Sequence, residues 1–143
     1  MGLIMKNSFW HKEIVGEAKY TKEEILNILV KILPEYKDVQ CVGLFGSYSR
    51  DEAGSESDVD ILYDLDCVKY VLNHVLFERA LWELLPEVEI RTLWYLENAP
   101  DYTERKDTIL KDIIWVDRDL GILPVGTFRE SNTSMWYKAR GML

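Results

Sequence analysis

The chain has 143 residues, 48% of them apolar and 12% aromatic, enough to close one hydrophobic core and too few for two ordinary domains. Seventeen Lys and Arg against 25 Asp and Glu leave a formal charge of -8, which argues against a broad footprint for nucleic-acid backbone or anionic membrane and favours acidic sites that recruit cations. No apolar run approaches the ~18 residues of a membrane span, and the first twenty residues lack a secretory h-region. Cys41 and Cys67 show neither CxxC spacing nor a disulfide framework, so a cytoplasmic protein is expected.

Residues 1–20 carry no clear period and read as an N-terminal arm. Thr21 followed by Glu24 has capping-box spacing, and Ile25, Leu26, Ile28, Leu29, Ile32 and Leu33 repeat at helical intervals up to Pro34, so a helix is expected there. The stretch Val39–Phe45 is short, apolar and β-prone, and it runs into Gly46-Ser47, the pattern of a buried strand ending in a turn. After a polar segment from Tyr48 to Ser57, Asp58-Val59-Asp60-Ile61-Leu62-Tyr63 gives a second strand. Asp66 is placed to cap a helix from about Val68 to Leu85, with Tyr70, Val71, Val75, Leu76, Leu81 and Leu84 as its apolar face and Pro86 as its stop.

Val88, Ile90 and Leu93 then suggest a third strand. Asp101 with Glu104 resembles another capping pair, opening a helix that turns Ile109, Leu110, Ile113 and Ile114 inward. Trp82, Trp94 and Trp115 lie in apolar contexts and are assigned to the core, and His11 and His74 lack ligand or nucleophile spacing and are read as structural. Gly121, Pro124 and Gly126 interrupt residues 117–143, a tail that reads as an interaction arm or as strand or coil folded onto the domain. The order is helix, strand, strand, helix, strand, helix.

The segment that carries chemistry has the skeleton Gly46-Ser47, ten residues, Asp58-x-Asp60. On a strand, Asp58 and Asp60 point to one face with Cα atoms ~6.5 Å apart, while Val59 and Ile61 enter the core. Two carboxylates at that range repel each other, and an oxygen-seeking divalent cation relieves the repulsion, so Mg2+ with a phosphate substrate is the natural occupant. Gly46 lets backbone approach a phosphate closely, Ser47 adds a hydroxyl and an amide, and Arg50 can neutralise the same phosphates. Arg50 could instead pair with Asp51 or Glu52, and Asp58 and Asp60 could be solvated edge charges. There is no GxxxxGK[ST] and no GxGxxG.

This signature resembles that of the DNA polymerase β-like nucleotidyltransferase superfamily, and most nearly its minimal nucleotidyltransferases, over residues 21 to 116. The resemblance implies an α+β nucleotidyltransferase fold, a small mixed sheet flanked by helices, and metal-dependent transfer of AMP from ATP. It also implies a third carboxylate on a neighbouring strand, matched here by Glu87-Val88-Glu89-Ile90-Arg91, where Glu87 and Glu89 share a face and Glu89 fits the carboxylate-then-apolar step better. Asp58, Asp60 and Glu89 are then the catalytic and metal residues, and Gly46, Ser47 and Arg50 bind the nucleotide. Glu89 stands where Asp is commoner, and Asp51 where many relatives have Gly. The implied partner is a co-encoded HEPN ribonuclease toxin, adenylylated on a tyrosine by this chain as its antitoxin. An aminoglycoside-like small-molecule nucleotidyltransferase and a non-catalytic binding module are the alternatives, and an oligomer is compatible with either.

Overall fold

A computed structural model of the chain describes residues 16–65, 71–132 and 141. Helix α1 (Lys22–Ile32) opens on a complete capping box: Glu24 N–H donates to the Thr21 hydroxyl at 3.0 Å, and Thr21 N–H donates to the Glu24 carboxylate at 2.9 Å. Ile25, Leu26, Leu29 and Ile32 form its buried stripe, and a 3-10 turn containing Pro34 (Leu33–Glu35) ends it. Strand β1 (Val39–Phe45) follows with the boundaries its apolar run predicts.

Strand β2 (Val59–Leu65) pairs antiparallel with β1, and strand β3 (Val88–Thr92) pairs parallel with β2 after a crossover through helix α2 (Val71–Leu84). The remainder comprises helices α3 (Leu93–Asn98), α4 (Pro100–Thr103) and α5 (Lys106–Asp112), then strands β4 (Ile114–Asp117) and β5 (Gly121–Ile122). The five strands form one mixed sheet in the order β3-β2-β1-β4-β5. Alternation divides the core into two layers. Val59, Ile61 and Tyr63 of β2 pack under α1 and α2, while Leu62, with Cys41 and Trp115 from the neighbouring strands, packs under α3 and α5. Asp60 and Asp64 therefore face the α3–α5 side. Gly43 makes this layer possible, because a Cβ there would lie 2.7 Å from the Trp115 ring and 2.6 Å from Ile113.

Four expectations are corrected. Helix α2 buries Phe77 and Leu81, with Leu85 buried just past its end, and it turns His74 and Glu78 to the Tyr63 hydroxyl; Val75, Leu76 and Leu84 are exposed. Both flanks of this helix are apolar, so composition alone does not select the buried one. Trp82 and Trp94 are 53% and 40% exposed, and only Trp115 of the three is core. The Asp101–Glu104 cap does not form: Pro100 starts a single turn after Ala99, and α5 restarts at Lys106. Ile113 then leaves the helix and Ile114 begins β4, because Val116 and Trp115 pair with Val42 and Gly43 of β1. Asp66, Cys67, Tyr70 and His11 lie outside the described residues. Among the described residues no helix is long and apolar enough to cross a membrane.

Candidate active site

Strand β1 ends in a turn whose first residue has to be glycine. Gly46 has φ +76, and a Cβ on it would fall 2.2 Å from Oδ2 of Asp60. The chain then coils once: the amides of Ser49 and Arg50 donate to Gly46 O at 3.1 and 3.3 Å, and that of Glu52 to Ser47 O at 2.9 Å. Asp51 closes the coil at φ +58, the one non-glycine residue in the left-handed region among the described residues. That is where the resemblance places glycine. A short polar side chain tolerates the conformation better than most, and here the carboxylate also pairs with Lys22 at 3.0 Å.

Asp60 stands opposite Phe45 of β1 and beside Glu89 of β3 in the parallel register. Both acids line a cleft of about 320 Å3, together with Gly46, Ser47 and Arg50. Its far wall is Tyr102, Arg105, Thr108 and Asp112, from α4, α5 and the turn between them, and Arg91 completes it. Burial pushes the Asp60 carboxyl up to about 6, and the charges of Glu89 and Asp58 add to that, against the pull of Arg105 and Arg50. Asp58 is exposed just before β2 and does not line the cleft, although its charge is felt at Asp60.

The two acids ahead of and within β3 separate. Glu87 accepts from Lys19 at 2.6 Å and Tyr20 at 2.8 Å, which hold it below the usual carboxylate range, while Glu89 lines the cleft. Arg91 lies 3.6 Å from Glu89 and donates to Ile90 O at 2.8 Å. Arg50 is in the cleft but engaged, its Nε 2.8 Å from Glu52 and its Nη1 3.4 Å from Asp112. The pairing with Glu52 is one of the alternatives the sequence leaves open. Arg91, Tyr102, Arg105, Thr108 and Asp112 are not among the site residues that the sequence points to, because nothing in their spacing marks them. Tyr102, Arg105, Thr108 and Asp112 reach the cleft because Ile109 of α5 packs into the same core layer as Leu62 and Trp115, and Arg91 reaches it from β3.

Among the described residues no three histidines, cysteines or acids are grouped so as to hold a metal ion by themselves. Asp60 and Glu89 side by side, with Asp58 near, nevertheless offer hard carboxylate oxygens, and a divalent cation would stabilise the charge that burial disfavours on Asp60. Mg2+ characteristically takes one or two carboxylates and completes its shell with water and substrate phosphate. The residues fit an ion held jointly with a phosphate ligand.

The chain is similar to known proteins over this region. A family model described as a nucleotidyltransferase domain matches residues 11–116. The protein adenylyltransferase MntA of Thermococcus cleftensis is 44% identical over 71 residues, which are 48% of this chain and 72% of the relative. A Methanocaldococcus jannaschii protein provisionally named as a protein adenylyltransferase is 34% identical over 95 residues, 66% of this chain and 93% of that one. A crystal structure of a toxin-antitoxin with AMP-PNP overlays loosely, with a TM-score of 0.40 and 25% identity over 48% of this chain and 57% of that one. With a family match over more than half of its length and a relative covered almost end to end, the chain belongs to the nucleotidyltransferase domain family and is a nucleotidyltransferase of the minimal kind its signature resembles.

Proposed function

We propose that the protein transfers AMP from Mg-ATP to a hydroxyl of a protein acceptor, a tyrosine of a co-encoded HEPN toxin, and so acts in the cytoplasm as that toxin's antitoxin. The observation that carries this reading is the meeting of Asp60 and Glu89 in one cleft floored by Gly46 and Ser47. The protein-adenylyltransferase names of the relatives support a protein acceptor. Residues 21–116 supply the catalytic unit in this reading.

The Gly46–Ser47 turn receives the phosphates, since a glycine without a Cβ admits close approach and the Ser47 hydroxyl adds a donor. Asp60 and Glu89 would hold the Mg2+, with the charge of the exposed Asp58 felt at Asp60. When bound, the ion supplies charge neutralisation and a template for in-line displacement at phosphorus. Glu89 accepts the proton of the acceptor hydroxyl, the oxygen forms its bond to the α-phosphorus, and the bond to pyrophosphate breaks. Pyrophosphate leaves with the electron pair.

Calorimetric titration with ATP tests the metal dependence. The wild type is expected to bind ATP with Mg2+ and to lose that binding in excess EDTA, and the Asp58→Asn, Asp60→Asn double variant is expected to bind Mg-ATP at least tenfold more weakly. Equal affinity in all three titrations contradicts the reading.

A further inference from the structure

Three arginines line the cleft, and they are not equivalent. Arg50 is held by Glu52 at 2.8 Å and Asp112 at 3.4 Å, and Arg91 by Glu89 at 3.6 Å and the Ile90 carbonyl at 2.8 Å. Arg105 is different. Among the described residues no carboxylate lies within ion-pair distance of it; its guanidinium carbon sits 5.8 Å from the centre of the Tyr102 ring. A guanidinium resting on an aromatic face is positioned while its N–H edges remain free, and those edges match the oxygens of a phosphate two at a time.

An arginine with no ion pair among the described residues, on a chain of charge -8 and in a cleft that already contains acids, is poised for an anion that arrives with the ligand. For Arg50 to take the same anion it would have to give up two carboxylates first. We infer that Arg105, rather than Arg50, is the principal grip on the polyphosphate of a nucleoside triphosphate in this cleft. The inference rests on the nucleotidyl-transfer reading and replaces Arg50 in one role within it. Arg105 then separates triphosphate from monophosphate ligands, because its bonds go to phosphates beyond the one that is transferred.

Inorganic tripolyphosphate and AMP, each titrated with Mg2+ into the full chain, are the probes. Arg105→Ala is expected to weaken tripolyphosphate binding by tenfold or more, the loss typical of a charge-assisted hydrogen bond, and to leave AMP binding within about twofold. Arg105→Lys restores part of the loss, and Arg50→Ala loses less than Arg105→Ala. Arg105 is exposed, so the thermal midpoint of Arg105→Ala should match the wild type. The inference is overturned if wild type binds no tripolyphosphate, if Arg105→Ala binds it unchanged, if AMP binding falls equally, or if Arg50→Ala loses more. Asp60→Asn titrated with Mg-ATP separates the two failures: binding equal to wild type removes the nucleotidyl-transfer reading itself. Weakened binding there, beside an unaffected Arg105→Ala, removes only the role of Arg105.

Discussion

At Gly46 one missing methyl group decides whether the cleft exists. An alanine there would carry its Cβ to within 2.2 Å of the Asp60 carboxylate at a φ of +76, and the left-handed backbone alone costs an L-residue about 1–2 kcal/mol. Gly46→Ala is therefore expected to lower the melting temperature by several degrees and to abolish Mg-ATP binding, because Asp60 must move aside. Calorimetry beside a thermal melt checks both, and normal Mg-ATP affinity would show that Asp60 is not held against this turn. Ser47 predicts the opposite pattern. Its hydroxyl makes no hydrogen bond among the described residues and its side chain fills no core volume, so Ser47→Ala should leave the melt unchanged. The same change should lower kcat/KM by the equivalent of about 1–3 kcal/mol, the worth of one donor to a charged group. A lowered melt with unchanged turnover per folded molecule would make Ser47 structural.

Among the elements, those whose signal is local were legible in the sequence. Thr21 and Glu24 announce α1, the apolar run Val39–Phe45 ends where β1 ends, and the Gly46-Ser47 to Asp60 spacing brings one turn and one strand together. Elements that depend on distant pairing were not. Ile114–Asp117 looks like the end of a helix until Trp115 finds Gly43 on β1, and Arg105 and Tyr102 join the cleft only once α5 has docked. The far end of β2 shows the same dependence. Asp64, 2% exposed, pairs with Arg129 at 3.0 Å and accepts from the Asn132 amide, so residues 129–132 fold back on the sheet.

Burial pushes Asp64 up to about 6, against the opposing pull of the Asn132 amide and Arg129. A carboxyl whose folded pKa lies above its unfolded value of about 3.9 holds its proton more firmly when folded. Its stabilising contribution is complete below the unfolded value and is lost as pH rises through about 6. Urea unfolding at pH 4 and pH 7 should show the wild type losing up to about 3 kcal/mol relative to Asp64→Asn across that window. A difference independent of pH would mean that Arg129 keeps Asp64 ionised throughout.

For the whole molecule, the sheet is covered on one face by α1 and α2 and on the other by α3 and α5, and the cleft lies at the end of the second layer. One wall comes from strands and a turn, the other from α4 and α5. An acceptor presenting its own hydroxyl would approach from outside, and the charge of -8 favours a basic protein over nucleic acid in that role. The most direct measurement is mass spectrometry of the proposed HEPN partner after incubation with this chain and Mg-ATP. A product heavier by AMP on a tyrosine is expected with the wild type and none with Asp60→Asn. No modified product with the wild type, or equal modification by Asp60→Asn, would contradict it.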